Sequence, residues 1–195
     1  KAGIPRLVTF PATNEAPSGA TQSAVVNNLG WIDSVTNEMG ATTGYSYDVM
    51  GRLSQITYPT GNTPAWLNTT LAFSQLTAAE NGMPAGYWRH STSTGNARKV
   101  VYLDAQWRPA MTWEYDNGSV AATQRFQRFT YDFEGRPTFA SYPASTTATS
   151  TGTFTFYDAL GRVTKVSQDS EFGASQPINT LTDYLANFIT STTNP

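Results

Sequence analysis

Apolar positions in this chain fall in short runs, rich in Tyr, Phe, Val and Thr, cut at close intervals by Gly, Asn, Asp and Pro. Runs of this kind predict strands joined by tight turns. Trp31 to Thr36, Ala41 to Tyr47 and Leu53 to Tyr58 read as three strands, with Asn37-Glu38-Met39-Gly40 and Asp48 to Gly51 as the turns between them. Asn68 to Thr77 and Tyr87 to Thr92 read as a pair around a loop, Ala78 to Gly86, that holds the hairpin dipeptide Asn81-Gly82. Further strands are expected at Lys99 to Leu103, Ala110 to Tyr115, Gln124 to Tyr131, Thr138 to Tyr142, Thr153 to Tyr157 and Val163 to Ser167. Asp116-Asn117-Gly118-Ser119 reads as another turn, and Pro59 to Pro64, Pro143 to Gly152 and Asp169 to Pro177 read as loops. Residues 1–28 read as an irregular segment with one candidate strand at Ile4 to Phe10, Leu7 to Phe10 its best part, which Pro5 and Pro11 confine to an edge or a short segment. Between Leu181 and Ile189 two readings compete: a short helix with Leu181, Leu185, Phe188 and Ile189 on one face, or a strand from Tyr184 to Thr190. The predicted fold class is all-β, an array of antiparallel β-hairpins forming a large twisted sheet.

One motif returns through this pattern. Tyr47-Asp48-Val49-Met50-Gly51-Arg52-Leu53 is matched by Tyr157-Asp158-Ala159-Leu160-Gly161-Arg162-Val163 and by Tyr131-Asp132-Phe133-Glu134-Gly135-Arg136-Pro137. A worn copy spans 102–109, with Tyr102, Asp104 and Arg108, one extra residue before the Asp and Trp107 in place of Gly. The physical reading is a tight hairpin turn: Asp accepts backbone N–H bonds, two residues form the corner, and Gly supplies positive φ in a type I turn closed by a bulge. From Gly51 to Trp107 is 56 residues, then 28 to Gly135 and 26 to Gly161. The first interval is two periods, which places an eroded copy near 71–86. A regular period of this size means an array whose units stack on their neighbours.

These residues resemble the YD-repeat, or RHS-repeat, family. Asp33-Ser34-Val35-Thr36, Asn37-x-x-Gly40, Thr42-Thr43 and Tyr45-Ser46-Tyr47-Asp48 follow its pattern, and Ile56-Thr57-Tyr58-Pro59 and Ser141-Tyr142-Pro143 match its tail. Ile189 to Pro195 looks like the opening of another repeat, so the resemblance favours the strand reading of that region. It covers roughly 29–195, an array following the segment 1–28. The resemblance implies a β-sheet that spirals into a hollow shell, as in bacterial toxin complexes, polymorphic toxins and teneurins. In the toxins such a shell encloses a C-terminal effector. The implied partners are the remainder of the chain's own shell and that effector, and the implied location is secreted or on a bacterial cell surface. The start at Lys1 and the stop at Pro195 read as cuts in a longer protein. The family's autoproteolytic aspartate region has no match here.

Composition narrows the function classes. Charged residues are 13 % of the 195 residues and the net charge is −2, so no broad basic field for nucleic acid is implied. There is no Cys and a single histidine, His90, which argues against disulfides and a zinc site. No apolar run approaches a membrane span. No Walker loop, dinucleotide loop, EF-hand loop or nucleophile elbow occurs. No cofactor, metal or catalytic residue is assigned. A group repeated at every turn is scaffold rather than catalyst, so Tyr47, Asp48, Gly51, Arg52, Tyr102, Asp104, Arg108, Tyr131, Asp132, Gly135, Arg136, Tyr157, Asp158, Gly161 and Arg162 are read as a structural motif. The alternative is a carbohydrate-binding or cell-surface adhesion module, with Trp31, Trp66, Trp88, Trp107 and Trp113 stacking on sugar rings; against it stands packing of these rings between β-layers.

Overall fold

The computed structural model describes residues 3–15, 17–185 and 190–193. Among them are fifteen strands: β1 Leu7–Phe10, β2 Ala20–Val26, β3 Ile32–Thr36, β4 Thr42–Tyr47, β5 Leu53–Thr57, β6 Thr69–Gln75, β7 Trp88–Thr94, β8 Ala97–Leu103, β9 Pro109–Asp116, β10 Arg125–Tyr131, β11 Pro137–Ser141, β12 Gly152–Tyr157, β13 Val163–Ser170, β14 Gly173–Tyr184 and β15 Thr190–Thr193. One helical turn, α1 Val120–Thr123, lies between β9 and β10. The strands form one open antiparallel sheet whose hydrogen-bonded order is the chain order, β1 to β15. Each strand therefore pairs with its sequence neighbours, the pairing that short turns impose.

The chain divides into two compact units, Lys1–Ala72 with Thr92–Asn96 and Phe73–Ser91 with Ala97–Pro195. In the first unit the strands are mostly half-buried, and Val26 is the buried hydrophobic residue. Hydroxyl pairs tie neighbouring strands: Thr36 Oγ1 lies 2.8 Å from Thr42 Oγ1, and Thr69 Oγ1 lies 2.6 Å from Thr94 Oγ1. Such cross-strand pairs give the abundant Thr a place in the sheet.

The second unit carries the compact core. Leu76, Met83, Val100, Tyr102, Met111 and Phe126 cluster there, with Tyr87, Ala110, Trp113 and Tyr115 packed against them. The register explains the cluster, because Met111 sits opposite Tyr102 on one side and Arg128 on the other. Phe139 and Phe154 are direct cross-strand partners with ring centroids 4.5 Å apart.

Two local readings change, one helical turn is added, and one segment is described only in part. The segment 1–28 holds two paired strands, β1 and β2, where one was expected. The expected loop from Asp169 to Pro177 is a tight turn between β13 and β14. Ser170 Oγ accepts the Phe172 N–H at 3.1 Å and Gly173 takes φ +80°, so polar composition there marks a hairpin and not a loop. The expected turn at Asp116–Ser119 forms, with Ser119 N donating to Asp116 O at 3.0 Å, and a helical turn not foreseen from the sequence follows it; Thr123 Oγ1 accepts from Asp116 N and donates to Ser119 O. Leu181 to Tyr184 belong to β14, Leu185 follows it outside any strand, and residues 186–189 of the helix-or-strand segment lie outside the described residues.

Met111 is fully buried, whereas Met39 is 91 % exposed at a turn. Met111→Ala is expected to cost about 2–5 kcal/mol in denaturant unfolding of the 195-residue chain. Met39→Ala is expected to stay within about 0.5 kcal/mol of the parent.

Candidate functional site: the aspartate turns

The Asp48 carboxylate uses both its oxygens locally. Oδ1 accepts the backbone N–H of Met50 at 2.9 Å and of Arg52 at 3.0 Å, and Oδ2 accepts Arg52 Nε at 2.7 Å. Gly51 N donates to Asp48 O at 2.9 Å and Asp48 N to Arg52 O at 2.8 Å. That is a type I turn closed by a glycine bulge, and the register of β4 on β5 shifts there. Asp104, Asp132 and Asp158 repeat every one of these side-chain bonds, at 2.6–3.0 Å. The glycines take φ of +80° at Gly51, +86° at Gly135 and +78° at Gly161. Trp107 holds the same left-handed position at +63°, so the worn copy keeps the turn without its glycine.

The tyrosines act between repeats. Tyr131 Oη donates to Pro109 O at 2.9 Å, Tyr157 Oη to Pro137 O at 2.9 Å and Tyr47 Oη to Ile32 O at 2.8 Å. In each case the acceptor is the residue just after the bulge of the preceding turn. The same tyrosine ring covers that turn's cation: Arg108 lies 4.5 Å over Tyr131 and Arg136 4.7 Å over Tyr157. Beside Tyr47 the Arg position is filled by Trp31, with ring centroids 5.1 Å apart. The glycine of each turn lies under its predecessor's side chain: a Cβ on Gly51 would stand 2.5 Å from Trp31 Cζ2, and one on Gly161 would stand 3.0 Å from Arg136 Nη1.

Tyr102 stands elsewhere. The register puts Leu103, not Tyr102, directly before Asp104, and Tyr102 points into the core. Its hydroxyl donates to Glu80 Oε1 at 2.5 Å and accepts from Asn81 Nδ2 at 2.9 Å, while Arg89 Nη1 holds Glu80 Oε2 at 2.9 Å. Burial and the Glu80 bond push the Tyr102 hydroxyl well above its ordinary pKa. In the eroded copy this network joins the Asn81-Gly82 turn to the next hairpin in place of an aspartate turn.

Several members of the pattern escape a reading based on Tyr-Asp. Asn27 accepts from Leu29 N and Trp31 N at 3.0 Å each, and Asn37 accepts from Met39 N at 3.1 Å and Ala41 N at 2.9 Å, which reproduces the aspartate turn with an amide. The spacing Asn-x-x-Gly was the signal. Tyr184 donates to Val163 O at 3.0 Å and lies 4.1 Å from the Arg162 guanidinium, so it too is a stapling tyrosine.

The five tryptophans divide by surroundings. Trp31 packs on Tyr47, and Trp113 stacks on Tyr115 at 4.1 Å and Phe126 at 5.5 Å. Trp88 and Trp107 form a near-parallel group with Phe73, at 5.0–5.5 Å. Trp66 meets Tyr58 edge-on at 5.8 Å and is largely exposed, as is Trp107. His90 stands 6.3 Å from the Phe73 ring. No group of three or more His, Asp or Glu side chains that could hold a metal occurs among the described residues.

All four motif aspartates are held below the ordinary carboxylate pKa. At Asp48 and Asp158 the leading cause is the backbone N–H of the following Arg. At Asp104 and Asp132 burial pulls upward, and the Arg hydrogen bonds outweigh it. A carboxyl with a lowered folded pKa stabilises above its unfolded pKa, about 3.9, and loses that contribution as pH falls through the folded value. Thermal midpoints are therefore expected to hold down to about pH 4 and to fall below it, more steeply than in a variant with all four aspartates replaced by Asn. Gly40 and Gly51 isolate the packing term, because they share φ (+78° and +80°) but only Gly51 has a neighbour within reach of a Cβ. Gly40→Ala should cost about 1–2 kcal/mol for left-handed backbone, and Gly51→Ala about 1–3 kcal/mol more for the clash, both read by chemical denaturation.

Comparison with known proteins agrees with this geometry. Residues 27–63 match the family model described as RHS Repeat. Among solved structures, the Photorhabdus luminescens Tc holotoxin pore, in a TccC3 mutant, superposes with a TM-score of 0.56 at 13 % identity over 90 % of this chain and 9 % of that one. The TcdB2-TccC3-TEV crystal structure gives a TM-score of 0.56 at 13 % identity, over 95 % of this chain and 10 % of that one. At that identity the likeness is one of fold, and this chain spans about a tenth of those it matches. No curated protein matches the chain. Residues 27–63 thus match an RHS repeat, the same turn geometry returns through the rest of the chain, and the fold is the one seen in these Tc toxin structures.

Proposed function

We propose that this chain is a non-enzymatic length of wall in an RHS/YD-repeat shell that encloses a toxin or effector cargo, secreted or displayed at a bacterial cell surface. The observation that carries the reading is the staple between repeats. Tyr47, Tyr131 and Tyr157 each bond the carbonyl behind the preceding turn and cover its Trp or Arg, so a hairpin added to the sheet is locked in register to the one before. The motif carboxylates spend their oxygens on this scaffold. No helix among the described residues is long and apolar enough to cross a membrane. The named neighbours are toxin proteins, which supports an effector as the enclosed partner. In the full-length protein that carries this chain, limited proteolysis should spare the region C-terminal to the repeats until the repeats themselves are cut. Early loss of that region with the repeats intact would refute enclosure.

A second reading has one specific place. In the first unit a groove of about 400 Å³ is lined by Tyr45 and the exposed Trp66 together with Asn37, Thr43 and Asn62, and by no charged side chain. An aromatic face beside amides and a hydroxyl suits a neutral glycan. Saturable glycan binding that disappears in Trp66→Ala would support it, and no binding across a broad glycan array would remove it.

A further inference from the structure

Two cross-strand rows lie side by side on the core face of the second unit. Val100, Trp113 and Phe126 make one, and Tyr102, Met111 and Arg128 make the next. Alternation along each strand puts all six on one face. Five of them belong to the core cluster or pack against it, and the sixth is an arginine. A cation in a core row breaks the rule that its neighbours obey, and breaks of that kind fall at functional sites.

Arg128 is half-buried. Arg52, Arg89, Arg108, Arg136 and Arg162 each hold a carboxylate. Among the described residues Arg128 holds none: its Nη1 donates to the Thr147 carbonyl at 3.4 Å, a long bond to a neutral acceptor. The desolvation of its charge is therefore left without a counter-ion. The strand fixes its position all the same. Its backbone sits opposite Met111, and its N–H donates to Oγ of the buried Ser141 at 2.8 Å.

Arg128 lines a groove of about 300 Å³ within the second unit. Pro84 and Tyr87, from the loop between β6 and β7, and Phe129 of β10 line it as well. So do Asp104 and Arg108, but these are spent on each other, with Arg108 Nη2 2.7 Å from Asp104 Oδ2. The groove thus offers one uncommitted cation beside apolar and aromatic surface.

We propose that this groove binds a carboxylate carried on an apolar body, free or at the end of a peptide chain. Charge complementarity selects the ligand. A guanidinium presents two parallel N–H donors that match the two oxygens of a carboxylate, and the apolar body covers the rings and aliphatic surface beside it. A neutral glycan, which the groove of the first unit suits, brings no counter-charge. The site lies within one unit and stands whether or not the chain encloses a cargo.

The test is isothermal titration of the 195-residue chain, at about pH 7, with phenylpropionate and with acetyl-Gly-Phe. Saturable binding of either acid is expected, with the corresponding amides at least about 10-fold weaker. Preference for phenylpropionate would assign the site to a free acid, and preference for acetyl-Gly-Phe to a chain end. Arg128→Gln is expected to weaken the acids about 10- to 100-fold. Arg128→Lys is expected to weaken them less, because an ammonium keeps the charge and loses the fork. The contrast of acid with amide is read on the parent and stays decisive if Arg128→Gln does not fold. Absence of saturable binding by both acids overturns the proposal. So does equal binding of acid and amide, or binding that Arg128→Gln leaves unchanged. Inorganic phosphate that binds as tightly as the acids would make this a site for any anion and overturn it as well.

Discussion

The structure depends on a tyrosine hydroxyl that reaches the backbone of the previous repeat. A sheet built from sequential hairpins has strong local pairing within each hairpin and weaker specification between them. Tyr47, Tyr131, Tyr157 and Tyr184 supply that specification: each donates to the carbonyl just past the preceding turn. One hydrogen bond of this kind is worth about 1 kcal/mol net, and the ring over a half-buried or exposed guanidinium adds about 0.5–2 kcal/mol. Neither is large alone. Repeated from joint to joint, with Tyr102 the exception, they make stability a sum over nearest neighbours, as in other repeat arrays.

The variants of the motif show which part of it matters. Trp31 replaces Arg and still covers Tyr47. Trp107 replaces Gly and still holds the left-handed backbone, with its ring grouped with Phe73 and Trp88. In the eroded copy there is no aspartate turn, yet Tyr102 still reaches back to the previous turn through Glu80 and Asn81. The chemistry changes while the backward reach of a tyrosine is kept. Arg in the turn therefore does two jobs, closing its own carboxylate and offering a flat cation to the next repeat.

The all-β array was legible because its signals are local. Asn, Asp and Gly spaced three or four apart, between runs of Tyr, Phe, Val and Thr, dictate hairpins with few alternatives. Loops that carry hairpin geometry in polar dress were harder: Ser170 and Gly173 make a tight turn that composition hides. The grip between repeats was not legible at all. Tyr47 and Ile32 are 15 residues apart, and Tyr157 and Pro137 are 20 apart, with backbone carbonyls that leave no trace in residue type. Tyr102 misleads for a related reason. One extra residue before Asp104 flips its side chain to the opposite face of the strand, a consequence of the period of two.

That flip also explains where the core lies. In the regular repeats the tyrosine faces its predecessor's turn and stays part-buried. At β8 the shifted register sends Tyr102 the other way, beside Met111 and Val100, and the buried hydrophobic cluster forms around it. Burying a phenol requires a partner for its hydroxyl, and Glu80 and Asn81 from the loop between β6 and β7 provide it. The same loop between β6 and β7 supplies Leu76 and Met83 to the core, so one segment provides both the apolar neighbours and the polar partners that burying Tyr102 requires.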